Sequence, residues 1–360
     1  MTSVALHAHR MRFGPHPGKP LLLAALAALV LLASFVALGL GATGLPPARV
    51  LRIVTDALAD SAALGSGDAL IILQIRLPRL LLGLLIGAAL ASSGALMQGL
   101  FRNPLADPSL IGVSAGAALA AATTIVLGDA LLAPLTGPLP FMALPVGAFA
   151  GGLLTTLALY AIATRDGRTS IPTMLLAGVA FGAFSGAIMG LFSYLSDDRQ
   201  LRDLSFWSLG SLSGATWTKV LTAAPFILPT LLAMPVLARG LNALSLGEAE
   251  AFHLGVSVQR VKALTIMLVA VAVGASVAAT GMIGFVGIMV PHVLRLMAGA
   301  DHRMLLPASA LLGAALLVAA DTVARTVVAP AELPIGILTA AIGAPFFLWL
   351  LLRRPGGLGR

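Results

Sequence analysis

"LLLAALAALVLLASFVALGLGA", residues 21–42, is a long apolar run that contains no charged side chain. About 20 apolar residues are enough for a helix to cross the hydrocarbon core of a bilayer. A signal peptide carries an apolar stretch of only ~7–15 residues, so this run is expected to stay in the protein as its first membrane span. The basic stretch before it, residues 1–20, is predicted to be a cytoplasmic tail.

Further apolar runs follow along the whole chain. Hydrophobic residues make up 59% of the 360 residues and charged residues only 10%, whereas a soluble domain carries about a quarter charged residues. The alternation of apolar and polar residues that a membrane barrel needs is absent. The sequence therefore predicts an all-α polytopic membrane protein with about ten transmembrane helices: 21–41, 80–100, 108–128, 141–163, 172–195, 218–238, 261–283, 284–297, 305–325 and 335–352. Residues 21–352 would form one transmembrane domain, and 353–360 a second cytoplasmic tail.

The net charge of +8 comes from basic residues that lie between the apolar runs. In this position they are typical of topology signals and of contacts with lipid headgroups, and no nucleic-acid motif accompanies them. An even number of spans places both termini on one side, where Lys and Arg are the more numerous. The sequence therefore predicts that both termini are cytoplasmic and that nucleic acid is not a partner.

The sequence contains no pattern for covalent chemistry or for nucleotide binding. It has no cysteine, which excludes disulfides and cysteine-based metal sites. No lysine lies in a G-x-x-x-x-G-K-[ST] phosphate loop, and the histidines are scattered. We therefore expect a chain that is not an enzyme and that binds no metal or cofactor of its own.

An ion-coupled carrier usually needs acidic side chains near the middle of the membrane, and none is evident from the apolar runs. The energy source for transport is therefore expected outside this chain. Asp321 and Arg325, one helical turn apart near the outer end of a span, are expected to form an ion pair.

Glycines follow one another four residues apart in "GVAFGAFSGAIMG", at Gly178, Gly182, Gly186 and Gly190. On a helix this spacing leaves one face without side chains. Such a face permits close helix packing, for which small residues are the usual device in lipid. It could also form the wall of a wide path for a bulky solute, and the residues leave both interpretations open.

A weak internal repeat joins the two halves of the chain. "GAALASSG" (87–94) resembles "GASVAATG" (274–281), and at the same offset Pro104 meets Pro291. The two copies lie on spans predicted to run in opposite directions, which is typical of the inverted repeats of transporters. Chance similarity between helices rich in small residues is the alternative.

A polar segment, "LNALSLGEAEAFHLG" (241–255), interrupts the apolar runs. Ser245 and Glu248 have the spacing of a capping box that begins a helix, and Gly255 is a suitable stop. The segment is either a connector lying on the surface or a docking helix that inserts into a soluble partner and transmits its motion. Because the chain has no energy source of its own, docking is favoured.

This segment resembles the cytoplasmic coupling segment of FecCD-type permeases, the membrane subunits of ABC importers for iron-siderophore complexes, haem and cobalamin. Three longer stretches resemble the same family in the same order: 75–120 ("IRLPRLLLGLLIGAALASSGALMQGLFRNPLADPSLIGVSAGAALA"), 281–325 and 331–351. The resemblance implies a type II ABC importer permease in the bacterial inner membrane. It further implies a homodimer with the translocation path on its axis, joined to two copies of a separate ABC ATPase that binds ATP and Mg²⁺.

The resemblance also implies roles for particular residues. The segment that contacts the ATPase would include Ser245, Leu246, Gly247, Glu248, Ala249, Ala251, His253, Leu254 and Gly255. Arg76, Arg79 and Arg325 would lie outside and face acidic residues of a periplasmic substrate-binding protein, with Arg52 and Arg199 on the same side. From the residues alone, anchoring to lipid headgroups is the alternative for these arginines.

The cargo is indicated by resemblance only. The stretches "TRDGRTSIPTMLLAG" (164–178) and "DDRQLRDLSFWSLGSLSGA" (197–215) resemble the hemin permease branch of the family. A ferric siderophore or cobalamin carried by the same mechanism is the first alternative, because no residue demands haem. An ion-coupled secondary transporter is the second alternative.

Overall fold

A computed structural model describes residues 18–41, 44–58, 67–128 and 140–353, and most of these residues are helical. The helices are α1 (Lys19–Gly39), α2 (Pro47–Leu58), α3 (Gly67–Leu70), α4 (Leu77–Leu100), α5 (Val113–Leu127), α6 (Pro140–Ala163), α7 (Ile171–Leu195), α8 (Asp198–Leu209), α9 (Trp217–Ala233), α10 (Ala238–Leu244), α11 (Glu248–His253), α12 (Val258–Thr280), α13 (Val286–Ala298), α14 (His302–Ala324) and α15 (Ile335–Arg353). A π-helical turn, Ile71–Arg76, joins α3 to α4, and 3₁₀ turns cover Pro108–Ile111 and Met234–Leu237. Two antiparallel strands, β1 (Thr164–Arg165) and β2 (Arg168–Thr169), form a hairpin between α6 and α7.

The prediction of ten membrane helices is confirmed. Seven described helices are long and apolar enough to cross a membrane, and three shorter apolar helices bring the number to ten. The second of them is continuous over Gly67–Leu100 and begins well before the predicted residue 80. The predicted span began only after Arg76 and Arg79, because charged side chains are costly in lipid. In the structure both guanidinium groups form hydrogen bonds inside the protein. The short helices α2 and α8 were not predicted, because their polar residues hide the apolar face.

Helix α4 lies in the middle of the bundle and is buried continuously from Ile86 to its end. It packs on α14, α13, α12 and α9. Glycines make this packing possible: a side chain at Gly87 would overlap the backbone at Gly313, and one at Gly94 would overlap the backbone at Gly287. Backbones this close are the expected use of small residues between membrane helices.

The two ends of the bundle can be told apart by their hydrogen bonds. At one end, called here the arginine end, Arg79 on α4 bonds Glu332, and the end of α12 bonds Ser211 through the carbonyl of Thr280. At the opposite end, called here the α11 end, the start of α12 bonds α11 through Lys262. Helices α4 and α12 therefore run in opposite directions, as the inverted repeat requires. Their local structures differ, because α4 continues through Gly94 whereas α12 ends at Gly281.

The described chain begins at the α11 end. Lys19, at the start of α1, forms an ion pair of 3.4 Å with Asp301, the residue that precedes α14. Asn242 of α10 bonds the same carboxylate at 2.8 Å, which places Lys19 beside the segment that leads to α11. Helix α15 starts at the arginine end, where Gly336 touches Leu209, and runs back across the bundle.

Candidate docking and coupling sites

The structure brings Arg76, Arg79 and Arg325 together around Asp321 at the arginine end. Arg79 donates to Asp321 from Nε at 2.9 Å and from Nη2 at 2.8 Å. It also donates to Glu332 from Nη1 at 2.9 Å and from Nη2 at 3.0 Å. One guanidinium thus joins α4, α14 and the segment before α15.

The other two arginines bond the end of α1. Arg76 donates to the carbonyls of Leu38 at 2.6 Å and Gly39 at 2.9 Å, and it is only 5% exposed. Arg325 donates to the carbonyl of Ala37. Carbonyls in the last turn of a helix lack helical partners, which makes them natural acceptors for these side chains.

The expected pair between Asp321 and Arg325 is present, at 3.8 Å, although Arg79 is the nearer partner of that carboxylate. None of the three arginines is a free surface charge. Only the Asp321–Arg325 pair could be predicted from the local sequence, because the carboxylates bonded by Arg79 and the α1 carbonyls bonded by Arg76 and Arg325 lie far away in sequence. By contrast, Arg52 and Arg199 are exposed.

Glu332 is the most accessible part of this cluster, with 35% of its side chain exposed. Hydrogen bonds from Arg79 hold the pKa of the Glu332 carboxyl below its usual range, against a smaller opposing effect of burial. Glu332 therefore remains ionised and shields the outer side of the Arg79 guanidinium. It was not among the predicted site residues.

At the opposite end, α11 is a separate short helix between two glycines. Gly247 (φ +135°) precedes it and Gly255 (φ +79°) follows it, so the predicted stop at Gly255 is confirmed. Ala251 is buried under the helix, whereas Phe252 is 71% exposed. Leu246 and Leu254 are exposed as well and, together with Phe252, form what we call the apolar tip.

The predicted capping box between Ser245 and Glu248 is wrong. Ser245 ends α10 and donates its hydroxyl to the carbonyl of Asn242 at 2.6 Å. Gly247 occupies the position before α11, and no side chain caps the helix. The pattern failed because residues 241–244 are still helical, which leaves Ser245 at the end of one helix instead of the start of the next. Glu248 turns to Lys262 instead, at 2.8 Å.

A groove of about 800 Å³ opens beside α11. The hairpin β1–β2 borders it through Arg168, α11 through Glu248, Phe252 and His253, and the first turn of α12 through Gln259. Exposed apolar side chains rimmed by charges are a common feature of protein interaction sites. The groove and the apolar tip together offer a surface on which a soluble partner could act.

The glycine face of α7 divides into two parts. A side chain at Gly178 would overlap the carbonyl oxygen of Leu110, so this glycine serves helix packing. Gly182, Gly186 and Gly190 have no neighbour of the described chain within 4 Å of an added Cβ. The packing interpretation therefore applies to Gly178, and the path interpretation stays open for the other three glycines.

Asp107 is an acidic side chain that lines a cavity between α4, α12 and α13, together with Leu90, Val273 and Gly287. A Cβ added at Gly287 would lie 3.5 Å from a carboxylate oxygen of Asp107 and 3.1 Å from the carbonyl oxygen of Leu90, near the midpoint of α4. The carboxylate accepts from the backbone N–H of Ser109 at 2.8 Å. The sequence did not reveal Asp107 because "NPLADP" has the composition of an exposed loop.

Comparison with known proteins agrees with this architecture. The FecCD transport family matches residues 7–353. The hemin transport system permease protein HmuU of Yersinia pestis is 50% identical over 285 residues, which are 78% of this chain and 83% of that protein. The cobalamin import system permease protein BtuC of Halobacterium salinarum is 46% identical over 280 residues, 78% of this chain and 73% of that protein.

A solved structure of a metal-chelate type ABC transporter in an inward-facing conformation matches with a TM-score of 0.76 and 33% identity, covering 93% of this chain and all of that one. Fold and sequence together define a multi-pass inner-membrane permease subunit of a type II ABC importer, which is not itself catalytic. The chain belongs to the FecCD transport family. Importers of this family work with an ATPase and a substrate-binding protein.

Proposed function

We propose that two copies of this chain form the membrane path of a haem (hemin) importer. A periplasmic substrate-binding protein delivers the haem, and two copies of a separate ATPase, which bind ATP and Mg²⁺, drive the passage. The 50% identity to a hemin permease over 78% of the chain is the observation that carries the choice of cargo. The 46% identity to a cobalamin permease makes cobalamin the main alternative.

The α11 end is the proposed contact with the ATPase, and it then faces the cytoplasm together with both chain termini. The apolar tip formed by Leu246, Phe252 and Leu254 supplies contact area, and the groove beside it receives side chains of the ATPase. Residues 245–255 move as a unit on this proposal, because glycines with positive φ stand at both ends of α11. Loss of the exposed Phe252 ring would remove the largest apolar contact of the tip.

The arginine end is the proposed contact with the substrate-binding protein. Arg79 is the arginine best placed for it, because its second partner, Glu332, is partly exposed and can be displaced by an incoming carboxylate. Asp321 would keep the guanidinium in place during this exchange. Arg76 and Arg325 contribute by holding the end of α1, while the exposed Arg52 and Arg199 assist the encounter through long-range attraction.

The open part of the α7 glycine face is the proposed wall of the translocation path. Gly182, Gly186 and Gly190 present backbone without side chains, and a second copy of the chain would supply the opposite wall. A smooth apolar wall suits a flat macrocycle and makes no tight pocket, which a permease does not need once its receptor has selected the solute. The glycine Gly178 stays outside this role because it packs on Leu110.

Reconstitution tests the cargo directly. The permease, its ATPase and a binding protein loaded with hemin, cobalamin or a ferric siderophore would be combined in proteoliposomes. We expect hemin-loaded binding protein to stimulate ATP hydrolysis and to produce uptake, and the other two to leave both at the basal level. Stimulation by cobalamin or by the siderophore alone would assign the chain to that cargo.

An ion-coupled secondary transporter is the second candidate, and Asp107 is the observation that favours it. Vesicles that contain the permease without ATPase would be given a proton or sodium gradient. We expect no uptake, because Asp107 is engaged by the Ser109 backbone. Uptake that disappears in Asp107→Asn would establish ion coupling instead.

A further inference from the structure

Lys262 lies in the first turns of α12 and is almost completely buried, with 3% of its side chain exposed. Its Nζ donates to a carboxylate oxygen of Glu248 on α11 at 2.8 Å. The same Nζ donates to the backbone carbonyl of Thr169 in the hairpin at 2.8 Å. One buried ammonium thus joins α11 and α12 to the hairpin that leads into α7.

Thr169 is held from several sides. Its backbone N–H donates to Oε1 of Gln259 on α12 at 2.9 Å. Its hydroxyl shares a hydrogen bond of 3.0 Å with Thr164 and donates to the Tyr160 hydroxyl at 3.4 Å. The next residue, Ser170, caps α7. A displacement of Thr169 is therefore passed directly to the first turn of α7.

The other contacts of α11 would not prevent it from moving relative to α12 and the hairpin. Ala251 is buried beneath the helix, but an alanine methyl group makes no directional bond. In the described part of the chain, the Glu248–Lys262 pair is the one side-chain hydrogen bond between α11 and another helix. A buried ammonium does not leave its acceptors readily, because an ionised group without partners is very costly away from water.

We propose that Lys262 is a positioning residue that couples α11 to α7: it makes the hairpin follow α11 when an ATPase moves that helix. The inference rests on the proposed contact between α11 and an ATPase. The groove beside α11 lies between the two elements that Lys262 joins, so a partner seated there would press on both. The glycine face of α7 would then tilt each time the ATPase moves α11.

The test uses the assembled transporter in proteoliposomes. Lys262→Met removes the charge and keeps the length, Glu248→Gln weakens the pair from the other side, and Lys262→Arg restores the charge. Lys219→Met is the matched control, because Lys219 is a lysine near the end of another span without a carboxylate partner among the described residues. The readouts are ATPase co-purification, basal ATP hydrolysis, and solute transported per ATP hydrolysed.

We expect Lys262→Met to retain the ATPase and the basal hydrolysis; Glu248→Gln is read only for transport per ATP, because Glu248 lies in the proposed ATPase contact. Solute transported per ATP should fall by about tenfold, a common size for coupling between sites. Lys262→Arg should recover most of it, and Lys219→Met should behave as wild type. Unchanged transport per ATP in Lys262→Met would overturn the inference, as would loss of ATPase binding, which would make Lys262 a part of the interface. A wild-type chain that binds no ATPase would overturn the proposed function itself.

A distance measurement covers the case in which Lys262→Met fails to fold. The sequence contains no cysteine, so spin labels can be attached to single cysteines at Asp166 in the hairpin and Glu250 on α11. In wild type, the distance between these labels should stay constant when ATP binds, because both elements move together. In Glu248→Gln the distance should change with ATP. An equal response in both proteins would contradict the coupling role.

Discussion

Asp321→Asn and Glu332→Gln form a matched pair of substitutions, because both carboxylates bond the same guanidinium of Arg79. They differ in their surroundings: the side chain of Asp321 is 6% exposed, whereas that of Glu332 is far more accessible. Removing the Asp321 charge leaves Arg79 and Arg325 close together with one compensating carboxylate fewer. Removing the Glu332 charge leaves Asp321 to hold Arg79 while water replaces the lost acceptor.

The free energies of unfolding should differ accordingly. Breaking a buried ion pair typically costs about 3–5 kcal/mol, and we expect the lower end for Asp321→Asn because Glu332 remains. An exposed pair is worth about 0–1 kcal/mol. At about 2–4 °C per kcal/mol, Tm should fall by roughly 6–12 °C for Asp321→Asn and by less than ~4 °C for Glu332→Gln.

The assay is thermal unfolding of the purified protein in detergent, followed by a measurement of its affinity for the substrate-binding protein. If Arg79 is the docking arginine, Glu332→Gln frees its outer side and should strengthen that association. Asp321→Asn should weaken both stability and association. Equal losses of Tm in the two variants, or a weaker association in Glu332→Gln, would refute this account of the cluster.

Three further predictions follow from single features of the structure. Gly94→Ala should lower Tm or prevent folding, because the added methyl group overlaps the backbone of Gly287 and overpacking typically costs about 1–3 kcal/mol; the control Gly186→Ala, which points into open space, should unfold like wild type. Glu332 has a lowered folded pKa, so its contribution to stability is present above its ordinary pKa of 4.5 and is lost as the pH falls through the folded value; the Tm difference between wild type and Glu332→Gln should shrink on acidification, and a constant difference would contradict the lowered pKa. Phe252→Ala should reduce ATPase co-purification without changing Tm, because the ring is exposed, and a large Tm loss would show that it belongs to the fold.

The membrane helices could be predicted from the sequence because the signal for each is local. A run such as residues 21–42 is apolar over the length of a span, and any helix it forms must cross the bilayer or be buried. Even the short α13 was placed correctly, at 286–298 against a predicted 284–297. The amphipathic α2 and α8 were missed, since their short apolar faces are interrupted by arginines and aspartates.

The site residues were predicted less completely, and the errors have a common cause. Arg76, Arg79 and Arg325 lie together at one end of the bundle, but of their partners only Asp321, for Arg325, was predicted. Lys262, Glu332 and Asp107 were not singled out at all. Arg79, Glu332 and Lys262 depend on partners that lie far away in sequence.

The class of protein and the ten spans could be derived from the sequence, as could the placement of the arginines and of α11 at opposite ends, because hydrophobic length and charge act through residues adjacent along the chain. The tertiary structure alone decided which charges are satisfied. Arg79 meets Asp321 across 242 positions, and Lys262 meets the Thr169 carbonyl across 93. A buried charge is stable only where folding supplies its partners, so its role becomes visible only once distant helices have packed together.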